Sequence, residues 1–211
     1  MKEIGLVVLG AILASFAPLL SELILKPYRK GKLKKSLIIE LIDLRHKLAS
    51  VAMQLATSHG TINRELMEWE ASILFSGEHQ YDNPSLKEVT TQMLSLDDKD
   101  IELAFKSSEY AQVKAFKLKK YYLPFLSSQI PSLSLFTPEF QRLTLDIYSR
   151  LSLLNEEIDS YKFYYEKTFD PAISGENRKS VRENLNQTSR HIERISRQTA
   201  DKIGIVIEKK G

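Results

Sequence analysis

A long apolar stretch at the start of the sequence is the feature that most constrains how the chain folds. From Ile4 to Leu25 the only charged residue is Glu22. At about 1.5 Å per residue this stretch would span about 30 Å as a helix, which matches the hydrocarbon core of a bilayer. The stretch is apolar on all sides, whereas a helix in a soluble core has an apolar stripe on one face. The sequence therefore predicts a transmembrane anchor over residues 1–25.

A basic segment, residues 26–35, follows the apolar stretch. Six of its ten positions are positively charged: Lys26, Arg29, Lys30, Lys32, Lys34 and Lys35. A cleavable signal peptide carries its positive charge before the apolar region, so the order found here favours a permanent anchor. The excess of Lys and Arg predicts a cytoplasmic C-terminal domain and an N-terminus outside, as in a bacterial inner-membrane protein. We expect the six side chains to contact anionic lipid headgroups.

The remaining residues, 36–211, have a helical pattern and predict a cytosolic bundle of coiled-coil-like long helices. Gly and Pro are scarce, with 8 and 7 residues, which is unusual for an all-β chain with many tight turns. In the first cytosolic helix, leucines and a valine recur every three or four residues and form a seam of the coiled-coil type. That seam comprises Leu37, Leu41, Leu44, Leu48, Val51 and Leu55. The fold class is therefore all-α.

Further helices follow from caps and periodicity. A short helix with Leu66, Trp69 and Ile73 on one side comes next, and a long one is predicted from Asp97 to Tyr122, with an irregular link over 124–136. Thr137 and Pro138 begin another long helix, since Thr is a good N-cap and Pro suits the first helical position. The last helix, about 176–209, has a more polar seam, which predicts partial exposure or self-association.

No motif in the sequence specifies a reaction. The chain contains no Cys, which excludes disulfides and thiolate metal sites, and its four His residues form no local metal pair. Phosphate-loop, dinucleotide and esterase motifs are also missing. We therefore expect no enzyme activity, no cofactor and no metal site. Five aromatic residues between Tyr161 and Phe169 are explained by helix packing, with a ligand pocket as the alternative.

Two groups of basic side chains are candidates for binding phosphate. Arg190, Arg194 and Arg197 recur at i, i+4 and i+7 of the last helix and form a basic stripe. Lys117, Lys119 and Lys120 lie among aromatic residues near the end of the predicted 97–122 helix. The simpler interpretation of both groups is a solvated helix face balanced by nearby Glu residues. The small net charge of +3 argues against a general nucleic-acid binder.

These features favour a non-catalytic, single-pass membrane protein whose cytosolic bundle forms a homo-oligomer or binds a protein partner. The alternative hypothesis is a ligand-gated membrane effector of an antiviral type, in which the bundle senses an anionic nucleotide. That alternative rests on an analogy of architecture alone. An enzyme with a novel helical site is the third and weakest hypothesis, because its acid and base candidates show no grouping.

Overall fold

The computed structural model describes residues 2–75, 83–109 and 117–209, with side chains described from residue 25 onward except at 106–109. All regular secondary structure in these ranges is helical, which confirms the all-α class. The α-helices are α1 (Lys2–Ser58), α2 (Arg64–Leu74), α3 (Pro84–Leu94), α4 (Asp98–Glu109), α5 (Pro124–Gln129), α6 (Pro138–Lys167) and α7 (Gly175–Glu208). A 3-10 helix, Ile130–Leu135, joins α5 to α6.

Helix α1 is continuous over 57 residues, through Pro27 and Gly31. From Leu37 to Leu55 its predicted seam is buried in the core, which confirms the seam. The helix ends where Gly60 adopts a φ of 63°, a conformation that costs glycine little. The amide of Thr61 then donates to the carbonyl of Ala56, which completes the C-terminal turn.

Among the residues whose side chains the structure describes, no helix is long and apolar enough to cross a membrane. The transmembrane span predicted over residues 1–25 lies outside these residues except for Leu25. The described residues therefore support the helical bundle, and they do not support the transmembrane anchor.

Helices α6 and α7 form an antiparallel hairpin whose register is fixed by polar pairs along one edge. Four residues of α6 are spaced by seven, four and seven, and their partners run back along α7 with the same spacing. The pairs are Glu139 with Lys209, Asp146 with Lys202, Arg150 with Gln198, and Glu157 with His191. Steps of seven and four residues keep these side chains on one edge of each helix.

Helix α7 packs against both α1 and α6, and its contact with α1 is also antiparallel. The Arg45 guanidinium of α1 donates to the carbonyl of Ala200 at 3.1 Å. It lies so close to Gly204 that a Cβ there would be 2.7 Å from a guanidinium nitrogen. Further along, His59 hydrogen-bonds the Ser189 hydroxyl at 2.9 Å. The polar seam of α7 is therefore buried between two neighbours, because small residues allow a close approach on both sides.

A second, smaller core lies beside the far end of α1, where α2, α3 and α4 meet. Arg64 of α2 joins these helices, because its guanidinium donates to the carbonyls of Leu94 and Leu96 after α3 and to Asp98 at the start of α4. Asp97 caps α4 by accepting from the Asp100 amide at 2.8 Å, as its position in the sequence predicts.

The prediction of one helix from Asp97 to Tyr122 is wrong at its C-terminal end. Residues 117–123 are not helical. Instead Asn155 of α6 holds this irregular segment, accepting from the Tyr121 amide at 2.9 Å and donating to the Tyr121 carbonyl at 2.8 Å. One side-chain amide thus satisfies both backbone groups of Tyr121, and this pairing offsets the helical propensity of the local sequence.

The link 124–136 is more ordered than the sequence predicts, since it contains α5 and the 3-10 helix. No side chain of its own caps α5. Glu40 of α1 does so instead, because its carboxylate accepts from the amides of Phe125 at 2.8 Å and Leu126 at 2.9 Å. A carboxylate at a helix N-terminus also complements the helix dipole. This contact attaches α5 to α1, 85 residues away in sequence.

Candidate functional site

The predicted basic stripe of α7 is divided among three different environments. Arg197 is half-buried, with its guanidinium 5.5 Å from the centre of the Trp69 ring. The indole of Trp69 in turn donates to Asp201 at 2.6 Å. Arg197 therefore belongs to the packing of α2 on α7, where a cation over an aromatic ring is favourable.

The other two arginines of the stripe are exposed and lie close to carboxylates. Arg194 hydrogen-bonds His191 at 3.0 Å, and His191 lies 3.3 Å from Glu157 of α6. Glu193 follows Arg190 at i+3, and burial raises the pKa of Glu193 while Arg190 and Arg197 oppose that rise. With acidic side chains among the arginines, the stripe is a weaker attractor for phosphate than the sequence pattern implies.

Two of the three predicted lysines line a cleft between the irregular segment and α1. Lys117 and Lys119 face α1 across a cleft of about 440 Å³ that His46, Lys47 and Tyr121 also line. Lys47 is paired with Asp43 at 2.6 Å, so much of the excess positive charge comes from Lys117 and Lys119. Lysines are common phosphate ligands, which makes this cleft a better candidate anion site than the α7 stripe.

The third lysine of this group points elsewhere. Lys120 lies 2.5 Å from Asp159 of α6, and the hydrogen bond to Asp159 raises the pKa of Lys120. This pairing directs Lys120 toward α6, whereas Lys117 and Lys119 line the cleft beside α1.

The six side chains of the basic segment also divide into groups. Lys30 lies 5.8 Å from the ring centre of Phe136, and Lys34 lies 6.0 Å from that of Phe140. Arg29 and Lys32 line a groove between α1, α5 and the 3-10 helix. Lys26 and Lys35 are exposed. Lys30 and Lys34 therefore help to pack the start of α6 against α1, a role that the charge pattern alone does not indicate.

The described residues contain no group of three or more His, Asp or Glu side chains that could hold a metal ion. His59 and Ser189 resemble part of a nucleophile–base pair, but Ser189 is buried and its hydroxyl also donates to the Asn186 carbonyl. Burial lowers the pKa of His59, and Arg190 lowers it further. This geometry suits a structural contact between α1 and α7 better than attack on a substrate.

The aromatic residues 161–169 divide between the core and the surface. Tyr161 is buried and its ring is parallel to that of Tyr165, with centres 6.4 Å apart. Phe163 and Phe169 are exposed. Helix packing therefore explains part of this aromatic run.

A buried glutamate has the largest pKa shift among the described residues, and no motif in the sequence points to it. Glu70 of α2 is only 7% exposed and lies on the buried stripe formed by Leu66, Met67, Ile73 and Leu74. Burial raises the pKa of Glu70 from 4.5 to about 7. Glu70 follows Met67 by three residues and Leu66 by four, so the helical spacing places it on the apolar face of α2. The sequence could therefore have indicated that Glu70 is buried.

No protein-family model, curated protein or solved structure matches the chain. Its function therefore has to be inferred from its own residues and geometry.

We expect Glu70 to make the stability of the bundle depend on pH. Because the pKa of Glu70 is higher in the folded state, the folded state binds the proton more tightly and the free energy of unfolding falls as pH rises from about 4.5 to about 7. Glu70→Gln should remove this dependence and raise the free energy of unfolding at pH 8 by about 3 kcal/mol. Thermal melts of the detergent-solubilised chain across this pH range measure the effect.

Glu68→Gln, an exposed substitution on the same helix, is the matched control and should melt like the wild type. If Glu70→Gln and the wild type lost stability equally between pH 5 and pH 8, burial would not be controlling the titration of Glu70.

Proposed function

We propose that the chain is a single-pass membrane protein whose N-terminal helix anchors a cytosolic bundle, and that this bundle associates with a second copy without catalysing a reaction. The continuity of α1 supports the proposal best, because one helix runs from Lys2 to Ser58. Along it the sequence passes from the apolar stretch, through the basic segment, to the leucine seam of the bundle. Any movement of the anchor would therefore be transmitted directly to the bundle core.

The side chains that follow the apolar stretch suit a membrane boundary. Leu25 and Tyr28 are exposed, at 44% and 68%, although both are largely apolar. Tyr is enriched at the level of lipid headgroups, and Lys and Arg are enriched on the cytoplasmic side. The exposed cations Lys26 and Arg29 beside them favour a cytoplasmic bundle and an N-terminus outside.

The outer face of α6 is the surface that we assign to self-association. Its residues are all exposed, mostly small or apolar, and only one of them is charged. They are Leu145, Ser149, Ser152, Leu153, Glu156, Ser160 and Phe163. This face extends over 19 residues and is about 27 Å long. Leu153 and Phe163 remain 52% and 55% exposed, which is a reason to expect a partner there.

A second copy of the chain is the partner that fits this face best. Since α6 and α1 are both antiparallel to α7, α6 runs parallel to α1 and hence to the proposed anchor. Two copies in one membrane, related by a two-fold axis along the bilayer normal, would bring identical α6 faces together. The serines would allow the helices to approach closely, and the membrane would raise the local concentration of both copies.

The alternative function is a membrane effector gated by an anionic nucleotide. The observation that favours it is the cleft in which Lys117 and Lys119 face α1. Binding there would contact both α1 and the irregular segment, so a ligand could in principle alter how they pack. A nucleotide that raised the melting temperature of the wild type but not of Lys117→Glu/Lys119→Glu would favour this alternative over simple self-association.

The topology of the anchor can be tested directly because the chain has no Cys. We expect a maleimide that cannot cross membranes to label Lys2→Cys, which precedes the apolar stretch, in intact bacterial spheroplasts. It should label Ser180→Cys, an exposed position of α7, only after lysis. Labelling of Ser180→Cys in intact spheroplasts would reverse the topology, and recovery of the wild type in the soluble fraction after carbonate extraction would reject the anchor.

Self-association through α6 predicts a specific cross-link. In a parallel two-fold dimer identical residues face each other, and a disulfide requires Cα atoms about 4.4–6.8 Å apart. Ser152→Cys should therefore form a disulfide-linked dimer in oxidised membranes, whereas Ser180→Cys should remain monomeric on a non-reducing gel. Leu153→Asp in the Ser152→Cys background should abolish the cross-link. Equal cross-linking of both single variants would indicate random collision and contradict the proposed face.

A further inference from the structure

A groove of about 460 Å³ opens beside the basic segment of α1. On one side are Tyr28, Arg29 and Lys32 of α1, and on the other are Phe125 of α5 and Leu135 of the 3-10 helix. The groove therefore combines two cations with apolar and aromatic walls, and among the described residues that line it none is acidic. Its size is within the usual range for small-molecule sites.

The groove exists because α5 and the 3-10 helix are held against α1 at both ends. Glu40 caps α5 at Phe125 and Leu126, and Lys30 lies over Phe136 at the other end. With these two contacts, α5 and the 3-10 helix run along α1 in the direction of the apolar stretch. The cations of the groove thereby have apolar and aromatic side chains beside them, whereas Lys26 and Lys35 do not line the groove.

The position of the groove along α1 corresponds to the level of lipid headgroups. With an axis along the bilayer normal, Arg29 lies about 6 Å and Lys32 about 10 Å beyond Leu25. The polar layer on each side of the hydrocarbon core is about 5–8 Å thick. Arg29 is then inside this layer, where the phosphate of a phospholipid lies, and Lys32 is just beyond it, with a side chain long enough to extend back to the phosphate.

We propose that this groove binds one anionic phospholipid of the cytoplasmic leaflet, an inference that rests on the proposed membrane anchor. Arg29 and Lys32 bind the phosphate, and Tyr28, Phe125 and Leu135 contact the glycerol and the first methylene groups. A guanidinium makes bidentate, charge-assisted hydrogen bonds to phosphate, which favours an ordered lipid over a diffuse ion atmosphere. Of the six basic residues after the apolar stretch, only these two therefore belong to the lipid site.

The test compares two double variants of the full chain that lose equal charge. Arg29→Gln/Lys32→Gln changes the groove, and Lys26→Gln/Lys35→Gln changes exposed cations of the same segment that do not line it. The purified proteins in a neutral detergent are titrated with short-chain phosphatidylglycerol, and retained lipid is counted by native mass spectrometry. Phosphatidylcholine and inorganic phosphate are the comparison ligands.

We expect the wild type and Lys26→Gln/Lys35→Gln to retain one phosphatidylglycerol, and Arg29→Gln/Lys32→Gln to bind it at least tenfold more weakly. Arg29→Lys/Lys32→Arg should recover part of the affinity, because it keeps both charges. Equal weakening in the two Gln variants would overturn the groove in favour of diffuse electrostatics. Inorganic phosphate that competed at the same concentration as the lipid would also overturn it, since the site would then be one for free anions.

Separate measurements test the proposed anchor and the proposed lipid groove. Carbonate extraction of membranes reports the anchor, and Arg29→Gln/Lys32→Gln should remain in the membrane fraction like the wild type. If the wild type were released by carbonate but still retained one phosphatidylglycerol through Arg29 and Lys32, the anchor would fall and the lipid groove would stand. If the wild type stayed in the membrane and retained no lipid, the groove alone would be wrong.

Discussion

The leucine seam of α1 is the surface on which the rest of the bundle depends. Helices α2, α4, α5 and α7 all contact α1, and its buried residues from Leu33 to Leu55 join the main core. Polar contacts then fix the position of each neighbour: Glu40 holds α5, and Arg45 holds α7. Apolar burial supplies the driving force, which is non-directional, and these charged side chains specify the geometry. A substitution in the buried seam of α1 therefore affects every helix that packs on it.

The hairpin of α6 and α7 completes the bundle and orients it. Its regular polar pairs fix the register, and the contact of Arg45 with Ala200 sets α7 antiparallel to α1. As a result the start of α6 and the end of α7 lie at the level of the basic segment, whereas the loop that joins them lies at the far end. This arrangement brings the groove at Arg29 close to the proposed membrane surface and directs the outer face of α6 parallel to the anchor. The proposed lipid site and the proposed self-association face thus depend on the same topology.

Predictions from the sequence were correct where neighbouring residues determine the local structure. They were wrong where residues distant in sequence determine it. The α1 seam and the Thr137 cap of α6 were correct, because each depends on neighbours within a few residues. Residues 117–122 were predicted as helix and are not helical, because Asn155 pairs with the backbone of Tyr121. The α7 stripe was predicted as one surface, and packing separates Arg197 from it by placing that side chain over Trp69. The groove could not be foreseen, because it forms only when Glu40 attaches α5 to α1.

The continuity of α1 across Pro27 and Gly31 is the central claim, since both residues normally weaken helices. Lys30, which lies between these two residues, packs over Phe136, and this contact supports the helix there. Spin labels at Leu25→Cys and Lys47→Cys of the otherwise cysteine-free chain measure this by double electron–electron resonance in nanodiscs. A continuous helix predicts a narrow distribution about 33 Å between Cα positions, from about 1.5 Å per residue. A broad distribution, or a mean shorter by more than about 5 Å, would reveal a break and contradict the rigid coupling of anchor and bundle.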